Sequence, residues 1–163
     1  MPLTVAYLAL GSNVGRRLEQ MRSALKLLRE KGVVTVISSP VYENRAIGMG
    51  SADPFLNAVI QIQTQLDPQI LLETCLEVET RLGRVRAKAW SPRTIDIDIL
   101  DYGQLQSETN QLRLPHPRII ERDFVLQPFS DIAPDFELHG KSIRLWLEQL
   151  PTIELTLIKD SLI

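Results

Sequence analysis

The hydrophobic pattern divides the first part of the chain into a strand, a helix and a second strand. Residues 3–10 are almost all apolar and are followed by Gly-Ser-Asn, which is typical of a buried strand that ends in a turn. Over residues 18–28 apolar residues recur every three or four positions, and Gly32 follows, so the spacing predicts a helix with one buried face. Residues 33–43 are rich in β-branched residues and predict the second strand, in which Pro40 requires an edge position or a bulge.

The middle of the chain continues this alternation. Residues 44–54 contain two glycines and end in proline, which predicts a long loop of the kind that often carries function. Residues 55–66 predict a third strand, residues 67–83 a helix that begins with Asp-Pro, and residues 95–100 a fourth strand. The order strand, helix, strand, strand, helix, strand is that of the ferredoxin-like βαββαβ fold, an α+β class with an antiparallel sheet.

The remaining third of the chain, from Gln104 onward, is rich in proline. It predicts loops, one or two short strands and a last helix over residues 142–150. We expect this part to wrap the core, because 163 residues suit one domain of ordinary size. The sequence therefore predicts a single domain over residues 1–163.

Composition and charge argue against several classes of protein. The chain is 44% hydrophobic and has 18 Lys and Arg against 20 Asp and Glu, so its surface as a whole is not suited to nucleic acid or anionic lipid. No apolar run reaches the roughly 18 residues of a membrane helix, and no secretory leader is recognisable. The single cysteine, Cys75, is expected to be a free, unreactive thiol on a helix. We therefore expect a cytoplasmic protein without nucleic acid or membrane partners.

The candidate chemistry lies between residues 84 and 98. Residues 84–93 hold four cationic side chains and no acidic one, although the whole chain is slightly acidic. Asp96 and Asp98 follow, two apart on the fourth predicted strand, so both carboxylates project from one face. This combination suits a magnesium nucleotide, because Mg²⁺ prefers carboxylate and phosphate oxygens and arginine binds phosphate. The alternative is that both groups are only solvated surface.

The usual backbone motifs for phosphate binding are missing from the sequence. It contains no G-x-x-x-x-G-K-[ST] motif, and residues 11–15 (G-S-N-V-G) lack the G-x-G-x-x-G pattern of dinucleotide folds. Any phosphate chemistry must therefore rest on side chains and metal. The turn at residues 11–13 has helix capping as its simpler interpretation and an anion contact as the alternative.

Five short motifs resemble one known family. They are A-Y-L-A-L-G-S-N (6–13), F-L-N-A-V (55–59), G-R-V-R (83–86), S-P-R-T-I-D-I-D-I-L (91–100) and L-P-H-P-R (114–118). Their order is similar to that in 6-hydroxymethyl-7,8-dihydropterin pyrophosphokinases over nearly the full length. The resemblance implies an ATP- and magnesium-dependent diphosphotransferase of folate biosynthesis. It would transfer the β,γ-pyrophosphoryl group of ATP to the hydroxymethyl group of the reduced pterin and release AMP.

The resemblance also implies roles for individual residues. Asp96 and Asp98 would hold two Mg²⁺ ions, and Arg84 and Arg93 would stabilise the phosphates. Further ATP contacts would come from Arg86, Trp90, Ile99, Leu112, Arg113, His116 and Arg122. The pterin would meet Asn44, Ile47, Phe55, Asn57 and Phe124. The two phenylalanines would sandwich the pterin ring, with a core role as the alternative, and the Asn57 amide would both donate to and accept from the pterin edge.

Two further residues have open interpretations. Glu79 lies with Glu77 and Arg81 on the second predicted helix, which favours a solvated helix face, and a contact with the ATP ribose is the alternative. His116 lies between two prolines, which argues against a core strand position and favours a phosphate contact.

The chain also departs from the family pattern. Leu76 stands where some members have glutamine, and Pro117 follows the histidine where an aromatic residue can occur. Residues 44–48 lack a proline that many members have. The loop that begins at Arg84 is one residue shorter than the corresponding loop of the family. We expect residues 84–93 to be mobile without ligand and to close over the triphosphate as a lid.

Two other functions are compatible with this fold. Metal-dependent nucleotidyl transfer would use paired aspartates, but it would more often come with a broad basic surface. A non-catalytic small-ligand sensor is also compatible, because fold alone does not decide function. Such a sensor has no need for two aspartates beside a cationic segment. The expected substrates are ATP and the reduced pterin, and the expected state is a monomer.

Overall fold

The computed structural model of the protein describes residues 2–44, 54–83, 95–109 and 111–163. Its strands are β1 (Thr4–Ser12), β2 (Val33–Ser38), β3 (Val41–Asn44), β4 (Phe55–Thr64), β5 (Asp96–Tyr102), β6 (Ser107–Glu108), β7 (Arg113–Leu114), β8 (Glu137–Leu138), β9 (Lys141–Ser142) and β10 (Thr156–Ile158). Its α-helices are α1 (Arg17–Glu30), α2 (Pro68–Arg81), α3 (Asp123–Ile132) and α4 (Ile143–Glu148). A 3₁₀ turn covers Ile119–Glu121.

One antiparallel sheet organises the molecule, with the strand order β10-β3-β4-β1-β5. Strand β2 pairs with β4 on the same side as β3, and each recorded pairing in this sheet is antiparallel. The first seven elements therefore form the predicted ferredoxin-like core, and the fold prediction is confirmed.

The prediction of one continuous strand over residues 33–43 is wrong, because the chain forms two strands there, β2 and β3. Pro40 has no N–H to donate, so the ladder cannot continue through it. Ser39 provides the connection instead: its N–H donates to the Val59 carbonyl at 2.9 Å, and its hydroxyl accepts from the Val59 N–H at 2.9 Å. The chain thus crosses the break without leaving β4.

The sheet is covered on both faces. Helices α1 and α2 pack on one face, where their apolar side chains meet Leu8, Leu10 and Ile62 in the larger core cluster. Helices α3 and α4 belong to a second cluster on the other face, around Tyr7 and Leu100. Burial of apolar side chains on both faces fixes the directions in which the polar residues of each strand can point.

Helix α3 corrects the prediction that the chain after Gln104 has only loops and short strands before the last helix. Pro128 lies inside it, and an internal proline costs about 3 kcal/mol in a helix. Val125, Leu126 and Phe129 are buried against the sheet, and burial of each contributes roughly 1.5–3 kcal/mol, which outweighs that cost. One or two short strands were predicted after Gln104, and the described residues there form five, of which β10 extends the sheet beside β3.

Other expectations about the core hold. Cys75 is a fully buried free cysteine, and burial raises the pKa of its thiol to about 12, so the thiol is unreactive at neutral pH. Helix α4 lies within the predicted range 142–150. No helix in the described ranges is both long and apolar enough to span a bilayer.

Candidate active site

The register of the sheet places two polar residues in one row, on either side of a glycine. Asp96 on β5 lies opposite Gly11 on β1, and Gly11 lies opposite Asn57 on β4. Neighbouring strands are about 4.8 Å apart, so Asp96 and Asn57 are roughly 10 Å apart across β1. A Cβ atom on Gly11 would lie 3.5 Å from Asn57 Oδ1 and 3.7 Å from Phe55 Cδ1. Glycine therefore keeps the surface between the two polar residues open.

The two aspartates share one face of β5, as the period of the strand predicts. Ile95, Ile97 and Ile99 are buried in the larger core cluster, whereas Asp96 and Asp98 are half-buried on the opposite side. Asp98 pairs with Ala9, two residues along the strands from the Asp96–Gly11 pair. The arrangement fits the hard oxygen donors that Mg²⁺ selects.

The pair Asp96 and Asp98 was predicted to supply the protein ligands of a metal ion. Among the described residues, no group of three or more acidic, histidine or cysteine side chains is arranged as a metal cage. Mg²⁺ usually completes its six positions with phosphate oxygens and water, so two carboxylates are a sufficient contribution from the protein.

A cleft of about 300 Å³ runs along the outer edge of β5. It brings together these residues of the sequence prediction: Glu79, Asp96, Asp98, Ile99, Leu112, Arg113 and His116. Leu72 and Gln111 also line it and were not singled out from the sequence. Leu72 has the apolar spacing of a core residue, so nothing local distinguishes it. The cleft combines apolar walls with carboxylates and cations, which suits a nucleotide.

Glu79 is not on a solvated helix face, so that prediction is wrong. Its side chain is 1% exposed, and its Oε2 accepts a hydrogen bond of 2.7 Å from the backbone N–H of Ile97. Glu77 on the same helix is exposed and pairs with Lys31 at 2.8 Å. Glu79 therefore fastens α2 to the residue between the two aspartates. The contact with a ribose stays a prediction.

The surroundings of His116 favour its neutral imidazole. Burial lowers the pKa of His116, and the charges of Arg122 and Arg118 lower it further. The backbone N–H of Arg118 donates to His116 Nδ1 at 3.1 Å, so Nδ1 is the acceptor and the proton lies on Nε2. His116 can thus donate one hydrogen bond to a phosphate oxygen without carrying a charge.

This lowered pKa makes stability depend on pH. The unfolded chain, with an ordinary histidine pKa of about 6.5, binds the proton more readily than the folded protein. We therefore expect wild type to lose unfolding free energy relative to His116→Gln as the pH falls from 7.5 to 5.5. Urea denaturation of both proteins across this range measures the difference. A constant difference would contradict a buried neutral imidazole.

Phe55 and Asn57, which were predicted to bind the pterin, lie on the same face of the sheet as the aspartates. Phe55 and Asn57 lie four and two positions from Val59 on β4 and therefore share its face, and Val59 belongs to the second core cluster. Phe124 on α3 packs against that cluster. The Asn57 side-chain amide donates a hydrogen bond to Asn44 Oδ1. The structure thus brings Asn44, Phe55 and Asn57 together at one end of β4, and it places Phe124 on the helix that covers the same face of the sheet.

Arg122 lies between the two groups of residues. Its guanidinium carbon is 5.5 Å from the centroid of the Phe124 ring, and its charge acts on His116. Arg122 therefore lies between a residue predicted for the pterin and a residue predicted for the triphosphate, and its own contact with phosphate stays a prediction.

Several predictions lie outside the described residues. They are the assignments of Ile47, Arg84, Arg86, Trp90 and Arg93, and the lid predicted over residues 84–93. A further residue, Arg17, lies beside the pterin end and was missed, because it has the spacing of an ordinary solvated helix residue.

Comparison with protein families gives one match over most of the chain. Residues 7–134 match the model of the 7,8-dihydro-6-hydroxymethylpterin-pyrophosphokinase family. The 2-amino-4-hydroxy-6-hydroxymethyldihydropteridine pyrophosphokinase of Methylorubrum extorquens is 43% identical over 149 residues, which are 91% of this chain and 94% of the relative. The Bacillus subtilis protein of the same name is 40% identical, over 89% of this chain and 92% of its own.

Solved structures show the same fold. Plasmodium falciparum HPPK-DHPS, wild type with SDX-DHP, superposes with a TM-score of 0.69 at 17% identity over 91% of this chain. The wild type with STZ-DHP gives a TM-score of 0.68 at 18% identity. The chain spans less than half the length of those chains, 44% and 41%. At this identity the likeness supports the ferredoxin-like core alone.

Proposed function

The chain belongs to the 7,8-dihydro-6-hydroxymethylpterin-pyrophosphokinase family, and on this premise we propose which of its residues perform the reaction. It is a transferase of folate biosynthesis that moves a pyrophosphoryl group from ATP to hydroxymethyldihydropterin. The observation that carries the assignment of residues is the Asp96–Gly11–Asn57 row. This row supports a nucleotide site along β5 and a pterin site against β4, on either side of Gly11.

The row suits direct transfer between two bound substrates. ATP in the cleft along β5 would present its β-phosphorus near the aspartates, and the pterin against Asn57 would present its hydroxymethyl group over Gly11. The hydroxymethyl oxygen would bond to the β-phosphorus as the bond to the α,β-bridging oxygen breaks, so that AMP leaves and the hydroxyl proton is released to water. Holding both reactants in line converts an encounter in solution into a step within one complex, which is a large part of catalysis.

Asp96 and Asp98 are the residues that would hold magnesium, and we propose two ions. When bound, Mg²⁺ supplies charge neutralisation at the phosphates and orients the attacking hydroxyl. The carboxylates themselves are oriented from behind, since Ile97 between them is fixed by Glu79. Arg84 and Arg93 are proposed as the catalytic cations that stabilise the phosphates.

The nucleotide is proposed to bind along the outer edge of β5. Backbone groups around Ile99, Leu112 and Arg113 would contact adenine, since these residues line the cleft beyond the aspartates. His116 would donate from Nε2 to the triphosphate, and Arg122 would add charge beside it. Arg86 and Trp90 complete the proposed set, as the sequence resemblance implies.

The pterin is proposed to bind at the other end of the row. Asn57 is 7% exposed, and its amide offers both a donor and an acceptor to a pterin edge. Asn44 holds that amide through its own side-chain oxygen. Phe55 and Phe124 would contact the two faces of the ring, because Phe55 lies on the sheet face that α3 covers and Phe124 lies on α3.

The reaction predicts a specific nucleotide product. We expect a single turnover of the protein with ATP, Mg²⁺ and the reduced hydroxymethylpterin to give AMP and the pterin diphosphate in equal amounts. Rapid quench followed by chromatography measures both. ADP as the first nucleotide, with a monophosphorylated pterin, would contradict transfer of pyrophosphate and indicate an ordinary kinase.

The same experiment separates the other functions that the fold permits. Release of pyrophosphate with a nucleotidylated acceptor would indicate nucleotidyl transfer, and binding without any product would indicate a sensor. A single domain over residues 1–163, a monomer and a cytoplasmic location remain parts of the proposal.

A further inference from the structure

Arg17, the first residue of α1, joins two segments that are distant in sequence. Its Nη1 donates to Glu43 Oε2 at 2.7 Å and to the backbone carbonyl of Pro54 at 2.8 Å. Both bonds carry the charge of the guanidinium, and such bonds are shorter and stronger than neutral ones. A single nitrogen atom therefore holds the end of β3 and the start of β4 together.

The two segments are those that lead into the pterin pocket. Glu43 directly precedes Asn44, and Pro54 directly precedes Phe55, while Asn44 and Phe55 are paired across the strands. Asn44 in turn accepts from Asn57. A shift of either segment would move a side chain that we place against the pterin.

Strand pairing holds the Glu43 backbone on both sides, and Arg17 adds the contact that fixes the Glu43 side chain. On one side β3 is backed by β10, where Thr156 pairs with Glu43, and on the other by β4. These ladders fix the strand direction, whereas α1 approaches the end of β3 through Arg17. The Arg17 and Glu43 side chains are 28% and 30% exposed, so the ion pair is partly shielded from water and less screened than a surface pair.

We propose that Arg17 is a positioning residue for the pterin substrate, a role that rests on the proposed function. Through Glu43 and Pro54 it braces the end of the Asn44–Phe55 pair and thereby supports the geometry in which the Asn57 amide meets the pterin edge. The packing of α1 does not depend on it, because Met21, Ala24, Leu25 and Leu28 form the buried face of that helix. Its loss should therefore affect one substrate more than the fold.

The test compares the binding of the two substrates. In Arg17→Met we expect the dissociation constant of the reduced pterin, measured by calorimetry with a non-hydrolysable ATP analogue present, to rise about tenfold. The dissociation constant of the analogue itself should stay within twofold. Arg17→Lys keeps a cationic donor and should recover most of the pterin affinity. Glu43→Gln, which removes only the charge of the partner, should fall between wild type and Arg17→Met.

Arg22→Met is the matched control. Arg22 lies on the same helix and contacts Glu19 and the Ser161 carbonyl, away from the site, so it should leave both constants unchanged. Equal losses of pterin and nucleotide affinity in Arg17→Met, with a lower melting temperature, would show a purely structural role and overturn the proposal. Unchanged pterin affinity would also overturn it. Failure of the wild type to form AMP would instead overturn the proposed function.

Discussion

Replacing Asp96 or Asp98 by asparagine is expected to lower kcat by at least about a hundredfold at saturating substrates, since single groups that stabilise transition-state charge are typically worth ~10² or more. The amide has nearly the same volume as the carboxylate but removes one negative charge from the two proposed for magnesium. Because both side chains lie on the half-buried face of β5, the fold should remain intact. Single-turnover formation of AMP over a series of Mg²⁺ concentrations measures the effect.

A loss of metal affinity has its own signature in this experiment. The apparent Mg²⁺ requirement of each variant should rise, and its melting temperature should stay close to that of wild type. Asp135→Asn is the matched control, because Asp135 is exposed and pairs only on the surface with Arg144 at 3.0 Å. Retention of more than about a tenth of the wild-type kcat at saturating Mg²⁺ would contradict metal ligation.

The elements that were predicted correctly from the sequence are those determined by the spacing of neighbouring residues. Apolar spacing identified α1, α2, β1 and β5, because one buried face imposes a period of 3.6 or 2 on neighbouring residues. Two of the errors lie at prolines. Pro40 divides a predicted strand because it cannot donate to the ladder, whereas Pro128 is tolerated in α3 because tertiary burial compensates for the lost helix hydrogen bond.

The residues of the candidate site also differ in how far they could be predicted from the sequence. The shared face of Asp96 and Asp98 follows from the strand period alone, so it was predictable without any other element. Glu79 and Arg17 were not, because their partners lie 18 and 26 or more positions away and belong to other elements. On the sequence each looks like an ordinary charged residue of an amphipathic helix. Only the packing of α2 against β5, and of α1 beside β3, gives them their roles.

Replacing Glu79 by alanine is expected to lower both the stability of the protein and its kcat. In Glu79→Ala the backbone N–H of Ile97 loses its carboxylate partner in a buried location, which should cost about 2 kcal/mol of unfolding free energy. For a protein of this size that corresponds to a melting temperature about 4–8 °C lower. The position of Ile97 also sets the positions of Asp96 and Asp98, and a displacement of about 1 Å at a catalytic group can lower the rate ~10²-fold. We therefore expect kcat to fall by about that factor.

Two further variants separate positioning from simple loss of stability. Glu79→Gln keeps an oxygen that can accept from Ile97, so it should recover most of kcat although the charge is gone. Glu77→Ala, two residues away on the exposed face of the same helix, should leave both kcat and melting temperature near wild type, because it breaks only the surface pair with Lys31. If Glu79→Ala lowered the melting temperature but kept the wild-type kcat below that temperature, Glu79 would stabilise the fold without orienting the aspartates. If Glu79→Gln were as inactive as Glu79→Ala, the charge rather than the hydrogen bond would be the essential property, and Glu79 would belong with the aspartates as a third carboxylate acting on the metal and phosphates.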